Sequence, residues 1–402
     1  MAEDKMPFFG KIIILVVIVG CLAGGYYFLA GKKSENSTST PNDNTNSTTS
    51  SNSNSWKGNT VEIGIAYGTE KKTWLEWAVQ EFAKTPDGEK IKINLIPKGS
   101  QEGAQALVAG DKKINVWSPA SSLYKETFVL DWQTKYNNNP ILKEESLALT
   151  PMVFVMWDER YQAFIAKKQN LTFTTIEAAL KEKGGWSTIA GKAEWGLFKV
   201  GHTHPSKSNS GLMTLVLMGY DYTNKTKDLS LKDILEPKFQ DWMLSLEKGV
   251  NALTDSTGTM MKEMVLKGPS SYDAVFVYEN VAIDQLKNAQ GRWGELRVVY
   301  PKQNMWSDNP YYIIDASWSS KDQRAAAEIF LNFLLTDSIQ KQSLVHGFRP
   351  ANPNVPIKFP ESPFTLYEKY GLKIEPGSTC EPPKNEVINN LLSLWQRSQG
   401  TR

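Results

Sequence analysis

The sequence predicts an α/β protein of two lobes, set behind one membrane-crossing helix. Three observations predict it. Short strand-like runs alternate with amphipathic helical stretches from residue 61 onward, the pattern of largely parallel sheets covered by helices. The chain beyond residue 56 is long enough for two lobes of ordinary size. Ahead of it, residues 12–30 form a run of nineteen without a charge.

At about 1.5 Å per residue that run spans roughly 28 Å, enough for one bilayer crossing. A secretory signal peptide would have a shorter apolar core, about 7–15 residues, followed by a small-residue cleavage site. Ile18-Val19-Gly20-Cys21 partly matches a lipoprotein cleavage box, yet the residues after Cys21 stay apolar (LAGGYYFLA) where a lipoprotein turns polar. The expectation is a retained signal anchor over 12–30 with residues 1–11 cytoplasmic, lipidation of Cys21 being the lesser alternative. The linker expected over 31–56 is, from 31 to 55, almost pure Ser, Thr and Asn, which buries too little apolar surface to fold. Such a tether reaches roughly 25–30 Å as a random coil. It would hold an extracytoplasmic domain near the membrane of the cell.

The chain carries 45 basic and 43 acidic residues. No basic field argues for nucleic acid, and no acidic tail for disorder. Cys21 lies in the span, so Cys380 has no intrachain partner and the fold does not depend on a disulfide.

Residues 61–67 alternate as a strand, and Trp74, Leu75, Ala78, Val79 and Phe82 mark one face of the helix after it. Residues 91–96 read as the next strand, 104–108 as a short helix, and 114–117 as a third strand ending in Ser118-Pro119-Ala120-Ser121-Ser122. Residues 151–157 (PMVFVMW) are nearly all apolar, as in a strand buried on both faces. The second lobe is expected to begin there. The boundaries are then 57–155 for the first lobe, 156–298 for the second, and 299–402 for the return with a C-terminal helix. A helix with Met260, Met261, Met264 and Val265 and a strand over 274–277, ending at Tyr278-Glu279-Asn280, belong to the second lobe. Strands are expected over 296–300 and 311–315. Two later helices, one with Ile329, Phe330, Phe333 and Leu334 and one with Val387, Ile388, Leu391, Leu392 and Trp395, are expected to pack back on the first lobe.

Residues 195–222, WGLFKVGHTHPSKSNSGLMTLVLMGYDY, say most about function. An apolar run gives way to a loop of hydroxyl, amide and imidazole groups, and then to an uninterrupted apolar helix. Ser208, Asn209 and Ser210 stand where that helix starts, so their side chains and the free backbone N–H groups would point at one spot. Such a start can hold an oxyanion or a polyhydroxyl ligand, or be an ordinary N-cap.

In order and spacing, the stretches VEIGIAYGTEKKTW, INVWSPASSLY, TPMVFVMW, GHTHPSKSNSGL, STGTMMKEMVLKGPSSYDAVFVYEN and VHGFRPANP resemble the bacterial extracellular solute-binding proteins of ABC transporters. The resemblance covers about residues 59–359 and is to the branch with the molybdate/sulfate-type, or type 2 periplasmic binding protein, fold. It implies two α/β lobes joined by two crossing strands, here near 150–156 and 298–314. The ligand would lie between lobes that close by a hinge motion. Carried over by motif, Thr69, Ser118, Ser121, Ser122, Ser208, Asn209, Ser210 and Tyr278 are expected to hydrogen-bond the ligand, with His202, Thr203 and Glu279 on the same cleft. The polar loops also fall at the carboxyl ends of the predicted strands, where open α/β sheets bind ligands. The simplest oxyanion binders of this branch use neutral donors, whereas Glu279 would bring a negative charge and His202 with His204 a titratable pair. The ligand therefore stays open.

Rival readings attach to single features. His202 and His204 would need one or two more ligands, such as Glu279 or His346, to hold a metal; no metal and no cofactor is expected. Trp74, Trp117 and Trp306 could stack on a sugar or simply fill the core. Lys71 and Lys72 are expected to be solvated. Arg349 could clamp an anion or make a structural ion pair. Ser210 lacks the G-x-S-x-G elbow, and there is no Walker loop, H-E-x-x-H or well-placed GxGxxG, so no enzyme is expected. The expectation is a membrane-tethered monomer that captures a small polar or anionic solute for an ABC permease. The alternative is an envelope carbohydrate-binding or sensing module without a transporter.

Overall fold

β1 (Val61–Tyr67), β2 (Ile91–Pro97) and β3 (Val116–Ser118) run parallel, each joined to the next through a helix. In this computed structural model residues 56–399 are described, and the expected anchor, tether and Cys21 lie outside them. Among the described residues no helix is long and apolar enough to cross a membrane. β4 (Ile141–Ser146) leads to β5 (Ala148–Trp157), which opens a second sheet with β6 (Val200–Thr203), β7 (Val250–Thr254), β8 (Ala274–Tyr278) and β9 (Leu296–Val299). Short strands β10 (Gln303–Asn304) and β11 (Trp306–Ser307) precede β12 (Pro310–Ile314), and β13 (Arg349–Pro350) and β14 (Ser378–Thr379) follow. The first sheet has the order β2-β1-β3-β12-β4; the second runs β11-β5-β8-β6-β7, with β9 and β13 also on β5.

The sheets are mixed rather than largely parallel. β12 is antiparallel to β3 and β4, and β5 is antiparallel to β8, β9, β11 and β13. β5 and β12 each arrive from the other sheet rather than through a helical crossover, so they are free to run against their neighbours. As its composition requires, β5 is buried along nearly its whole length.

The first sheet is covered on both faces: Trp74, Phe82 and Phe330 belong to one core, Trp117, Trp132 and Tyr312 to another. The second lobe has its own larger core, in which the Asn209–Thr223 helix is buried continuously from Asn209 to Tyr220. That burial is why its sequence shows no polar face. Gly211 is required there, since a Cβ would stand 2.3 Å from the Thr203 carbonyl oxygen at the end of β6.

The sheet changes at Leu147, between β4 and β5, and at Asp308 and Asn309, between β11 and β12. Asn309 adopts a left-handed φ of 43°, which Asn tolerates. Its Nδ2 donates to Ala148 O (3.1 Å) and Ser307 O (3.0 Å), and it accepts the Leu147 N–H at 3.1 Å, lacing the crossings together. Lys71 Nζ donates to Asn309 Oδ1 (3.1 Å), Pro119 O (3.0 Å) and Glu70 Oε1 (2.6 Å). Lys71 is thus fully buried beside the crossings, not solvated as its sequence position suggested. Burial lowers its pKa, against the pull of the Glu70 carboxylate.

The chain passes between the lobes a third time. The Lys321–Leu334 helix packs on β1 and β12, and the Asp337–Val345 helix packs beside it. Gly347, at φ 81° and against the Asn280 backbone, then turns the chain into β13 on β5. The Asn385–Gln399 helix does not return to the first lobe. It packs on the Asn209–Thr223 and Pro237–Gly249 helices of the second lobe. The cause lies upstream: the Cys380 and Glu381 N–H groups donate to Asn304 and Thr226, which commits the chain to that side.

Candidate functional site

Five parallel strands, β1 and β2 of the first sheet and β6, β7 and β8 of the second, each run at the carboxyl end into a helix. These begin at Thr69 (a 3-10 turn continued by Lys72–Phe82), Ser100, Asn209, Thr257 and Glu279. The turns ahead of the first four wall one cavity of about 40 Å³. Residues 68–70 and 99–100 come from the first lobe and 207–209 and 255–258 from the second, with Ala120 and Tyr278 completing the wall. First-turn N–H groups have no partner within their own helix, and each helix start carries a partial positive charge. Three of the four starts, at Gly68, Gly99 and Ser208, have no side-chain cap. Only Ser256 caps, accepting the Thr259 N–H at 3.4 Å. The lobes meet over this space: Asn280 Nδ2 donates to Glu70 O at 3.3 Å, and a Cβ on Gly99 would stand 3.5 Å from Lys207 O.

A hydroxyl cluster fixes the second-lobe half. Ser210 Oγ lies 2.6 Å from Thr203 Oγ1, 2.5 Å from Thr257 Oγ1 and 3.1 Å from Ser208 Oγ. Those contacts consume three of the four hydroxyl protons and leave one to direct elsewhere. Ser208 and Thr257 reach the cavity wall, while Thr203 and Ser210 are buried behind it. Asn209 donates from Nδ2 to the Tyr278 hydroxyl at 2.7 Å, and its Oδ1 is buried without a partner. Turning the amide over keeps the link to Tyr278, whose hydroxyl then donates, and sets an NH₂ donor where Oδ1 was. Burial, reinforced by the Glu70 charge, holds the Tyr278 pKa well above its ordinary value, so the phenol stays protonated.

Charges at the wall are matched. Glu70 is bonded to Lys71, and Lys207 pairs with Asp255 at 3.0 Å on the exposed rim. A rim pair of that kind contributes little. What remains is the field of the helix starts, a setting suited to an anion held by neutral donors.

A family of bacterial extracellular solute-binding proteins matches residues 63–349, well over half of the chain. The chain belongs to this family. It is a solute-binding protein of ABC-type uptake, with the two-lobed fold of that class. The thiosulfate-binding protein of Pseudomonas aeruginosa is 24% identical over 306 residues, covering 74% of this chain and 80% of that protein. The sulfate-binding protein SubI of Mycobacterium tuberculosis is similar in structure, with a TM-score of 0.52 at 15% identity over 85% of this chain and 99% of that one. Iron-bound HitA of Pseudomonas aeruginosa reaches 0.54 at 14% identity over 84% and 99%.

Within this solute-binding protein the residues expected at the ligand divide. Thr69, Ser208, Asn209 and Tyr278 stand on the cavity wall. Ser118 is buried and accepts the Gly68 N–H through its carbonyl, shaping the first turn. Ser121 accepts the Leu123 N–H, and Ser122 faces an outer groove beside Lys125 and Glu144. Both leave the cleft because the chain reverses at Ala120, where Ser307 and Asn309 bind the Ala120 carbonyl. His202 lies inside β6, not in the loop: its Nε2 is 2.9 Å from Glu247 Oε1, and Glu247 Oε2 accepts the Trp395 indole N–H at 2.9 Å. His204 stacks edge-on against Trp395 instead of joining His202. Glu279 is fully buried against Arg349, which donates to both carboxylate oxygens at 2.7 Å, and against the Tyr300 hydroxyl. Arg349 is therefore an internal ion-pair partner. Burial opposes its charge, but Glu279 outweighs burial and raises its pKa.

Three contributors were not singled out in the sequence: Gly99 with Ser100, residues 255–258, and Glu70. The signal for the first two was present, since Gly-Ser at 99–100 and Ser-Thr-Gly at 256–258 stand just ahead of helical apolar periods.

Proposed function

We propose that this protein binds a small oxyanion between its lobes and hands it to an ABC permease, held at the membrane by residues 12–30. The observation that carries this reading is the gathering of four helix starts from both lobes on one small cavity, three of them uncapped. About 40 Å³ is room for a few waters or one tetrahedral ion. The thiosulfate- and sulfate-binding relatives support the same ligand class. Both walls come from one chain, so a monomer suffices. Among the described residues the cavity has no tryptophan in its wall, which favours an ion over a stacked sugar. No group of three or more His, Cys, Asp or Glu among the described residues is placed to hold a metal ion, which favours an oxyanion over a cation held by those side chains.

Thermal denaturation of the full chain with sulfate, thiosulfate, molybdate, phosphate, neutral sugars and ferric ion tests this. An oxyanion at a hundred times its dissociation constant adds about 2.7 kcal/mol of stability. A shift with sugars or iron and none with oxyanions would overturn it.

A further inference from the structure

Beside the small cavity lies a larger one of about 210 Å³, also walled by both lobes, and the two share Thr69, Glu70, Ser256 and Gly258. A bare tetrahedral oxyanion at the helix starts would use none of this second space. Asn280 and Asp284 of the Glu279–Ala289 helix help to form its wall, with His346 after the Asp337–Val345 helix. Two side-chain atoms of that wall are buried with no hydrogen-bond partner: Asn280 Oδ1, in a residue 3% exposed, and His346 Nε2. The elements are close, since a Cβ on Gly347 would stand 2.8 Å from Asn280 O.

Other atoms of both side chains are already held. The Asn280 N–H donates to Thr150 Oγ1 at 3.1 Å and Nδ2 donates to Glu70 O at 3.3 Å, which sets the amide and leaves Oδ1 as an acceptor. His346 Nδ1 lies 3.2 Å from Thr73 Oγ1; where that hydroxyl donates, Nε2 carries the ring proton, and where it accepts, Nε2 is an acceptor. Burial lowers the His346 pKa against the opposing pull of Asp284, which keeps the ring neutral near pH 7. The wall thus offers an acceptor at Asn280 Oδ1 and, at His346 Nε2, a donor or an acceptor according to the tautomer. Around them Glu70 is bonded to Lys71 and Lys72 lies 3.8 Å from Glu76, which leaves Asp284 and Lys262 of opposite sign on the wall, so a second net charge has little to gain. A hydroxyl, which donates and accepts at once, matches this wall.

We propose that the solute is an oxyanion bearing a hydroxylated organic substituent, a phosphate monoester, phosphonate or sulfonate. Its charged head sits at the helix starts and its hydroxyl lies against Asn280 and His346. This rests on the oxyanion reading above. Calorimetric titration of the full chain compares sulfate and phosphate with ethanesulfonate, 2-hydroxyethanesulfonate and glycerol 1-phosphate. The hydroxylated probes should bind at least tenfold more tightly than ethanesulfonate and the bare ions. Asn280→Ala and His346→Phe should each bring the ratio of 2-hydroxyethanesulfonate to ethanesulfonate affinity close to one. Bare ions bound as tightly as every substituted probe, or a ratio that neither variant moves, overturns the proposal and leaves the oxyanion reading standing. If no oxyanion binds at all, both fall together.

Discussion

Tyr278 and Glu279 are neighbours in the chain, yet they serve two polar regions built on opposite terms. Glu279 enters a closed group with Arg349 and Tyr300, in which both carboxylate oxygens are bound and nothing is left to offer. Tyr278 joins Asn209 on the wall of a cavity where uncapped helix starts leave donors unspent. Both regions are buried and rich in hydrogen-bonding atoms, so burial and polarity alone do not mark a binding site. Unspent capacity does. A satisfied charge pair stabilises the fold or its geometry, whereas a set of convergent unsatisfied donors can be completed by a solute.

The largest effect should come from the closed region. Arg349→Ala strands the Glu279 carboxylate in the interior and should cost about 3–5 kcal/mol in urea denaturation. Stability within about 1 kcal/mol of the parent would erase the contrast. Next, Asn209→Asp places a carboxylate at the open region. It should weaken oxyanion binding about a hundredfold, or about 2.7 kcal/mol, while the melting point moves by only a few degrees. Equal loss of stability and affinity would show that Asn209 belongs to the closed kind.

Trp395→Phe removes the indole donor from Glu247, the carboxylate that also holds His202. About 1–3 kcal/mol of stability should go, with the oxyanion dissociation constant unchanged; a changed constant would return His202 to the ligand site. The smallest effect is the response to pH. Burial lowers the pKa of both His204 and His346 from the ordinary 6.5. Below that value the unfolded chain binds more protons than the folded one, so stability is fully present above pH 6.5 and is lost as pH falls through the lowered folded values. Melting curves at pH 7.5 and 5.5 should show the decline, and His346→Phe should make it shallower.

Much of this was legible along the chain. β1 and the buried β5 declare themselves by period and composition, and the Ser208-Asn209-Ser210 start by its place between an apolar run and an unbroken apolar helix. The loop after β3 shows the limit. Its serines look like those after β6, but whether a strand-end loop faces the cleft depends on where the chain turns, and Ala120 turns it outward under hydrogen bonds from residues 307–309. His202 was misplaced by a shorter error. β6 runs through Thr203, and a residue inside a strand points into a core that the local sequence does not show.

The local sequence by itself determined the alternation of strands and helices, the positions of the helix starts and the near neutrality of the chain, because these follow from period, capping residues and composition. Only the tertiary structure decided that four of those starts share one cavity, that Lys71 and Asn309 lace the crossings, and that Glu279 belongs to Arg349. Convergence is set by which sheet each strand joins and by the angle at which the lobes meet. Those are long-range pairings between residues from 70 to 238 positions apart, and no short window along the chain contains both partners.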